Sequence, residues 1–244
     1  MPFPVRPFVV LQSVESTNNY AMAQVHAGLA KHGSAYFALE QTAGKGQRGK
    51  SWESTKGENI MLSMILEPRQ VLLSEQFSLN AAVALGCFDL VNSLVPGQVS
   101  IKWPNDIYIN DRKSGGILIE NIIHGNTWQY SIVGMGINVN QRQFPGGLAN
   151  AVSITQATSI NYDVLDLAGQ LYNSVLTRFD SLQHPNELLK EYNSHLYMLH
   201  ETARMKKNNI VFSAKIKGVN RNGMLVVQTG IEEEFLVGEV EWVR

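Results

Sequence analysis

The stretch Gln41-Thr42-Ala43-Gly44-Lys45-Gly46-Gln47-Arg48-Gly49-Lys50-Ser51-Trp52 decides the fold. Its glycines fit the spacing G-x-G-x-x-G, which in a dinucleotide-binding βαβ unit opens directly into a helix. Here Ser51-Trp52-Glu53-Ser54-Thr55-Lys56-Gly57 follows, with no helical period and a further glycine. A doubly wound parallel sheet is therefore set aside. The loop instead places Lys45, Arg48 and Lys50 between glycines and carries no acid from Gln41 to Trp52. Glycines let backbone amides approach an anion, and the cations neutralise it. Taken alone, the same residues also suit a solvated turn.

Upstream of the loop, Phe8-Val9-Val10-Leu11 reads as a strand. Ser16 or Thr17 is placed to cap a helix with Met22, Val25 and Leu29 on its apolar face, closed by Gly28 and Gly33. Residues 35–40 form a strand entering the loop, and residues 59–66 form a buried one stopped by Pro68. Phe77, Ala81, Ala84, Leu85, Phe88 and Val91 mark a helix, in which Cys87 is a small core hydrophobe. Strands follow at 99–102, 107–110, 116–123 and 128–139, then a helix carrying Leu165, Ala168, Tyr172, Val175 and Phe179. Strand after strand with interspersed helices predicts an α+β fold built on a mixed β-sheet. Beyond residue 198 only short strands appear, with Asn222-Gly223 as a hairpin turn and Glu232-Glu233-Glu234 as a solvated turn. We expect a catalytic domain over 1–198 and a small C-terminal β-barrel over 199–244.

Composition narrows the class. The chain has 244 residues, 44% hydrophobic and 17% charged, with a formal net charge of −1. It buries a sizeable core and lacks the basic excess of a nucleic-acid binder. The single cysteine excludes an internal disulfide and a multi-cysteine zinc site. No run of 18 apolar residues predicts a membrane span, and Met1-Pro2-Phe3-Pro4-Val5-Arg6 does not begin a signal peptide. A cytoplasmic protein is expected. His26, His32, His124, His184, His195 and His200 show no compact ligand spacing.

Two further segments carry chemistry. Lys102-Trp103-Pro104-Asn105-Asp106 is followed by Asp111-Arg112-Lys113-Ser114-Gly115-Gly116-Ile117-Leu118, so that two lysines lie beside two aspartates. Pro104 forces Trp103 into extended backbone and makes a rigid corner. Lys113 leads into an apolar strand, where its ammonium suits a pocket mouth. Gly134-Met135-Gly136-Ile137-Asn138 ends a strand, and its glycines allow a planar group to approach closely.

In this order, Glu15-Ser16-Thr17-Asn18, the glycine-rich loop, Lys102–Asp106, Lys113–Leu118 and Gly134–Asn138 resemble the biotin–protein ligases. The resemblance covers nearly the whole chain, and the Lys-Trp-Pro-Asn-Asp run is its most specific part. It implies a two-step reaction: ATP and magnesium activate biotin to biotinyl-5′-AMP, and a lysine of the biotin carboxyl carrier of a carboxylase then takes the acyl group. It implies catalytic roles for Lys113, Lys102, Asp106 and Arg48. Biotin and nucleotide would be bound by Ser16, Thr17, Asn18, Gln41, Gly44, Lys45, Gly46, Gln47, Lys50, Trp52, Asn105, Gly116 and Asn138. Asp106 would either hold magnesium or orient Lys102, or accept a hydrogen bond from the carrier lysine. Gln47 stands where many relatives have arginine, so local charge falls to Lys45 and Arg48. Longer relatives add a DNA-binding helix-turn-helix; here the strand at Phe8 leaves no room for it, and no operator binding is expected. A monomer or homodimer is expected. The alternative is a lipoate–protein ligase of the same superfamily.

Overall fold

The computed structural model describes residues 7–69, 71–145 and 150–243. The expectation for Met1–Arg6 lies outside the described residues. A seven-stranded sheet runs in the order β1 (Phe8–Leu11), β2 (Ser34–Ala38), β3 (Asn59–Leu66), β7 (Thr127–Asn138), β6 (Arg112–His124), β5 (Asp106–Ile109), β4 (Val99–Lys102). Only the β1–β2 pair is parallel; the other neighbours are antiparallel. The mixed sheet is as expected, and it reads out in two-residue alternation.

On β3, Ile60, Leu62, Met64 and Leu66 face the main core, while Met61, Ser63 and Ile65 point to the opposite side. On β7, Val133, Met135 and Ile137 join the core, leaving Gly134 and Gly136 on the opposite face. That core is completed by α2 (Gln76–Leu94) and α4 (Val164–Asp180), which pack against each other; the short α3 (Ile154–Thr158) precedes α4. Cys87 is fully buried there, and burial pushes its thiol pKa up, so it is a hydrophobe rather than a nucleophile. The segment Leu73–Leu94 is long and apolar by length and composition. That character is explained by its place between sheet and α4, where most of it is buried. Asp163 caps α4 by accepting from the Leu165 and Asp166 amides.

The first helix departs from its pattern. α1 (Thr17–His26) buries Thr17, Asn18 and Ala21. Met22 and Val25 pack beside Ala21 in a small satellite cluster, and Leu29 is 62% exposed beyond the helix end. Ser16 occupies the N-cap without a side-chain cap bond. The buried polar start of α1 serves the cleft described below, and an apolar periodicity argument cannot see it.

The C-terminal region is a five-stranded antiparallel sheet in the order β11 (Glu232–Phe235), β10 (Leu225–Gln228), β9 (Ile210–Val219), β8 (Thr202–Lys207), β12 (Glu241–Trp242). Asn208 and Asn209, both at positive φ, turn β8 into β9. The run Glu232-Glu233-Glu234 is paired strand rather than the expected solvated turn, registered on Val226, Val227 and Gln228. The short helix α5 (Pro185–Ser194) precedes this sheet and buries Leu188 and Tyr192. Trp103 Nε1 donates to Gly223 O at 2.9 Å, and one continuous apolar cluster includes residues of both sheets.

Candidate active site

A cleft lies on the face of the large sheet opposite α2 and α4. Its floor is the paired stretch of β6 and β7, where Gly116 faces Gly136 and Leu118 faces Gly134. The bare backbone is required. A Cβ on Gly134 would overlap the Asn18 carboxamide, and one on Gly136 would sit 2.5 Å from Trp52 Cε2. The planar group expected over these glycines is, in this structure, the Trp52 indole. Its Nε1 is buried without a partner.

One end of the cleft is a network of small polar side chains, nearly all buried. Gln41 Oε1 accepts from Thr17 N at 2.8 Å and Thr17 Oγ1 at 3.0 Å. Ser63 Oγ lies 2.7 Å from Thr17 Oγ1 and 2.6 Å from Asn18 Oδ1. Asn18 Nδ2 donates to Glu120 Oε2 at 2.8 Å. Ser63 and Glu120 escaped the sequence reading because each stands among apolar residues of its strand. The available signal was strand parity: each shares the sheet face of Gly134.

The other end holds an ion pair, Lys113 Nζ to Asp106 Oδ1 at 2.6 Å. Asp106 sits at the start of β5, directly after the Trp103–Pro104 corner, whose peptide is cis. A register shift between Ile107 and Tyr108 in the β5–β6 ladder brings Lys113 opposite Tyr108 and its ammonium back to Asp106. Lys113 is inside β6, not on a turn, and its backbone is fixed by bonds to Asn150 O and Val152 N. The Asn105 Nδ2 donates to Ile117 O at 2.6 Å and the Ile117 amide returns a bond to Asn105 O, locking the corner onto the floor.

Of the residues expected at the site, Ser16, Thr17, Asn18, Gln41, Lys45, Gly46, Gln47, Trp52, Asn105, Lys113 and Gly116 line the cleft. Asp106 reaches it through Lys113. Others are placed elsewhere. Lys102 is registered opposite Asp106 across the β4–β5 hairpin, and orienting it was one of the tasks left open for that carboxylate. The Lys102 ammonium bonds Tyr108 OH at 3.1 Å and lies 4.7, 5.6 and 5.0 Å from the ring centres of Tyr108, Tyr197 and Trp242. Such contacts favour a cation, and here they tie β4 to the C-terminal sheet. Arg48 adopts left-handed backbone (φ 56°) and packs its guanidinium against Gly238, away from the cleft. Lys50 is exposed, and Gly44 is buried beneath Trp52. Asn138 is buried, with Nδ2 donating to Val152 O at 3.3 Å.

The metal expectation on Asp106 meets an unfavourable donor set. Its carboxylate is paired with Lys113, and among the described residues no group of three or more His, Cys, Asp or Glu could hold an ion.

The loop over the cleft closes on itself through Gly46 N to Lys50 O and Trp52 N to Gly44 O, at 2.7 and 2.9 Å. Apart from Gly44 and Trp52 it buries little. Amide hydrogen exchange in residues 43–52 is expected to be fast in the free protein and to slow on ligand addition; unchanged exchange would rule out a closing loop.

Comparison with known proteins agrees with this geometry. Residues 10–138 match the Biotin/lipoate A/B protein ligase family. The chain is 30% identical to the bifunctional ligase/repressor BirA of Escherichia coli over 239 residues, covering 95% of this chain and 72% of that protein. It is 37% identical over 134 residues to a biotin–[acetyl-CoA-carboxylase] ligase of Paracoccus denitrificans, 53% of each chain. The fold matches a biotin protein ligase from Aquifex aeolicus in complex with biotin and ATP, with a TM-score of 0.81 at 24% identity over 98% of this chain and 99% of that one. The chain belongs to the biotin/lipoate A/B protein ligase family.

Proposed function

We propose that this chain is a biotin–protein ligase that uses ATP to form biotinyl-5′-AMP and transfers biotin to a carrier lysine of a biotin-dependent carboxylase. The observation that carries this reading is one continuous cleft with two different ends. A ureido ring has two N–H donors and one carbonyl, and the Thr17, Asn18 and Gln41 end offers small hydroxyl and amide partners in fixed positions. A carboxylate and a phosphate must meet at the other end, where Lys113 supplies positive charge.

The chain's own residues divide the work. Lys113, held by Asp106, binds the biotin carboxylate and offsets charge as its oxygen attacks the α-phosphorus and pyrophosphate leaves. Lys45, Gly46 and Gln47 line the same cleft, the Lys45 ammonium donating to Asn19 Oδ1, and are expected to fold over that end when the loop closes. In the second step a carrier amine attacks the mixed anhydride and AMP leaves. With an ordinary pKa near 10.4, only about one such amine in 2,500 is neutral at pH 7. We assign Asp106 a second task, accepting a hydrogen bond from that amine. Magnesium would arrive with ATP and would supply charge neutralisation at the phosphates. ATP dependence and the carboxylase carrier together favour a cytoplasmic setting.

A lipoate ligase reading fits the polar end less well. A dithiolane ring has no N–H or carbonyl to meet the hydroxyl and amide groups of Thr17 and Gln41 that line it. Purified protein with ATP, magnesium, labelled biotin and a carboxyl-carrier domain is expected to give labelled carrier. It should also give biotin-dependent ATP–pyrophosphate exchange that lipoate does not support. Neither product, or exchange driven by lipoate instead, would overturn the assignment.

A further inference from the structure

We infer that Asn59 and Gln141 are positioning residues for the ligase reaction: a buried amide clamp that fixes one root of the glycine-rich loop and so returns Trp52 to a single seat on Gly136, beside Lys113. This rests on the biotin reading above and on closure of residues 43–52. The loop is a hairpin with a neck and two roots. Its neck is the bridge between Lys45 and Ser51 together with the bond from Trp52 N to Gly44 O. The N-terminal root is held by backbone, with Thr42 N and Ala43 N donating to Val14 O and Glu15 O at 3.0 and 2.9 Å. The C-terminal root, residues 53–58, belongs to no helix or strand, and Glu53, Thr55 and Lys56 are exposed. Two buried amide side chains hold it to the end of the large sheet.

Asn59 opens β3 fully buried, and Gln141, three residues past the end of β7, is 4% exposed. Asn59 Nδ2 donates to Ser54 Oγ at 3.0 Å and to Gln141 Oε1 at 2.5 Å, while its Oδ1 accepts from Val139 N at 3.0 Å. Gln141 Oε1 also accepts from Thr55 N at 3.1 Å, and its Nε2 donates to Gln143 O at 2.8 Å. Both Asn59 protons and both lone pairs of the Gln141 oxygen are thereby engaged. Buried amides are costly unless they are bonded, and a fully bonded network is rigid. Here the rigidity falls on Ser54 and Thr55, two and three residues after Trp52. The Trp52 ring lies against Gly136 of β7, the strand that leads to Gln141, with its centre 6.0 Å from Lys113 Nζ. The clamp therefore confines the hinge on this side to the neighbourhood of residue 53 and sets the point from which the indole swings. Without it the stem would leave the sheet together with the loop, and the ligand would have to order both.

The first test needs no variant. In the free protein, amide exchange followed by NMR is expected to find Thr55 N at least tenfold slower than Gly46 N and Lys50 N, whose bonds lie within the loop. Equal rates would overturn the proposal. Gln141→Met keeps the length of the side chain and removes the shared acceptor. It is expected to bring Thr55 N to within about threefold of the loop amides and to raise KM for biotin about tenfold in ATP–pyrophosphate exchange. The kcat should change by less than about threefold, because saturating biotin reorders the stem and restores protection at Thr55 N. Asn59→Asp keeps the shape and the bond from Val139 N but has no donor. It is expected to do the same, and decides the matter if Gln141→Met does not fold. A merely structural clamp would lower Tm and leave KM unchanged. That result, or wild-type protection at Thr55 N in both variants, would overturn the proposal. Failure of the unmutated protein to bind biotin would instead overturn the assigned function.

Discussion

Lys113→Ala is expected to slow adenylate formation by about 10²–10³, the usual consequence of removing one positioned donor from a site of developing negative charge. The fold should persist. Lys113 and Asp106 are 36% and 23% exposed, and a pair that open to solvent contributes on the order of 1 kcal/mol or less to stability. The backbone of residue 113 is held by its neighbours on 150–152 whatever its side chain. Lys113→Arg should recover only part of the rate. Asp106 already bonds the compact ammonium at 2.6 Å, and a broad planar fork has to displace either that carboxylate or the Trp52 ring, whose centre is 6.0 Å from Nζ. Single-turnover formation of biotinyl-5′-AMP measures this. A Lys113→Ala rate within a few-fold of wild type, with unchanged Tm, would reduce Lys113 to a solvated strand lysine.

Gly134→Ala should be as damaging to binding as Lys113→Ala is to chemistry. The added methyl group occupies the position of the Asn18 carboxamide, and Asn18 has no easy retreat. It is 3% exposed and tied to Ser63 and Glu120. Either the amide leaves its partners or α1 moves off the sheet. A displacement of about 1 Å in a binding constellation typically costs on the order of 10². Overpacking a buried contact should also cost about 1–3 kcal/mol of stability. Calorimetry with biotin and a thermal melt separate the two effects. Unimpaired biotin binding by Gly134→Ala would show that Asn18 and Gly134 do not shape the site.

How much of this was legible in the sequence depended on what each signal measures. The strands of the large sheet and helices α2 and α4 were readable because their burial is apolar and periodic. Helix α1 was misread because its buried face is Thr17, Asn18 and Ala21, polar for the sake of the cleft. Helix α5 was missed although Leu188 and Tyr192, spaced i and i+4, give the segment one buried face. The Glu232–Glu234 strand was hidden by its charge, since pairing with β10 does not need apolar side chains. At the site, the motif residues Lys113, Asp106 and Gln41 were legible as types, but not their partners. Lys102 and Asp106 face each other in register, so a local argument joins them. Three rings, two of them from beyond residue 196, draw the Lys102 ammonium away instead. Such long-range competition is invisible to spacing.

The glycine floor separates two demands that many enzymes must satisfy with the same residues. The surface on which the reactants rest is the hydrogen-bonded middle of the large sheet, strands β6 and β7, backed by the apolar layer of α2 and α4. The segment expected to close on ligand is a short loop, residues 43–52, that shares little of that layer. Robustness and turnover are thus lodged in different parts of the chain. Tighter packing between α2 and α4 can harden the protein against heat without slowing catalysis, while changes in the loop alter the pace of the cycle and leave the melting temperature where it was.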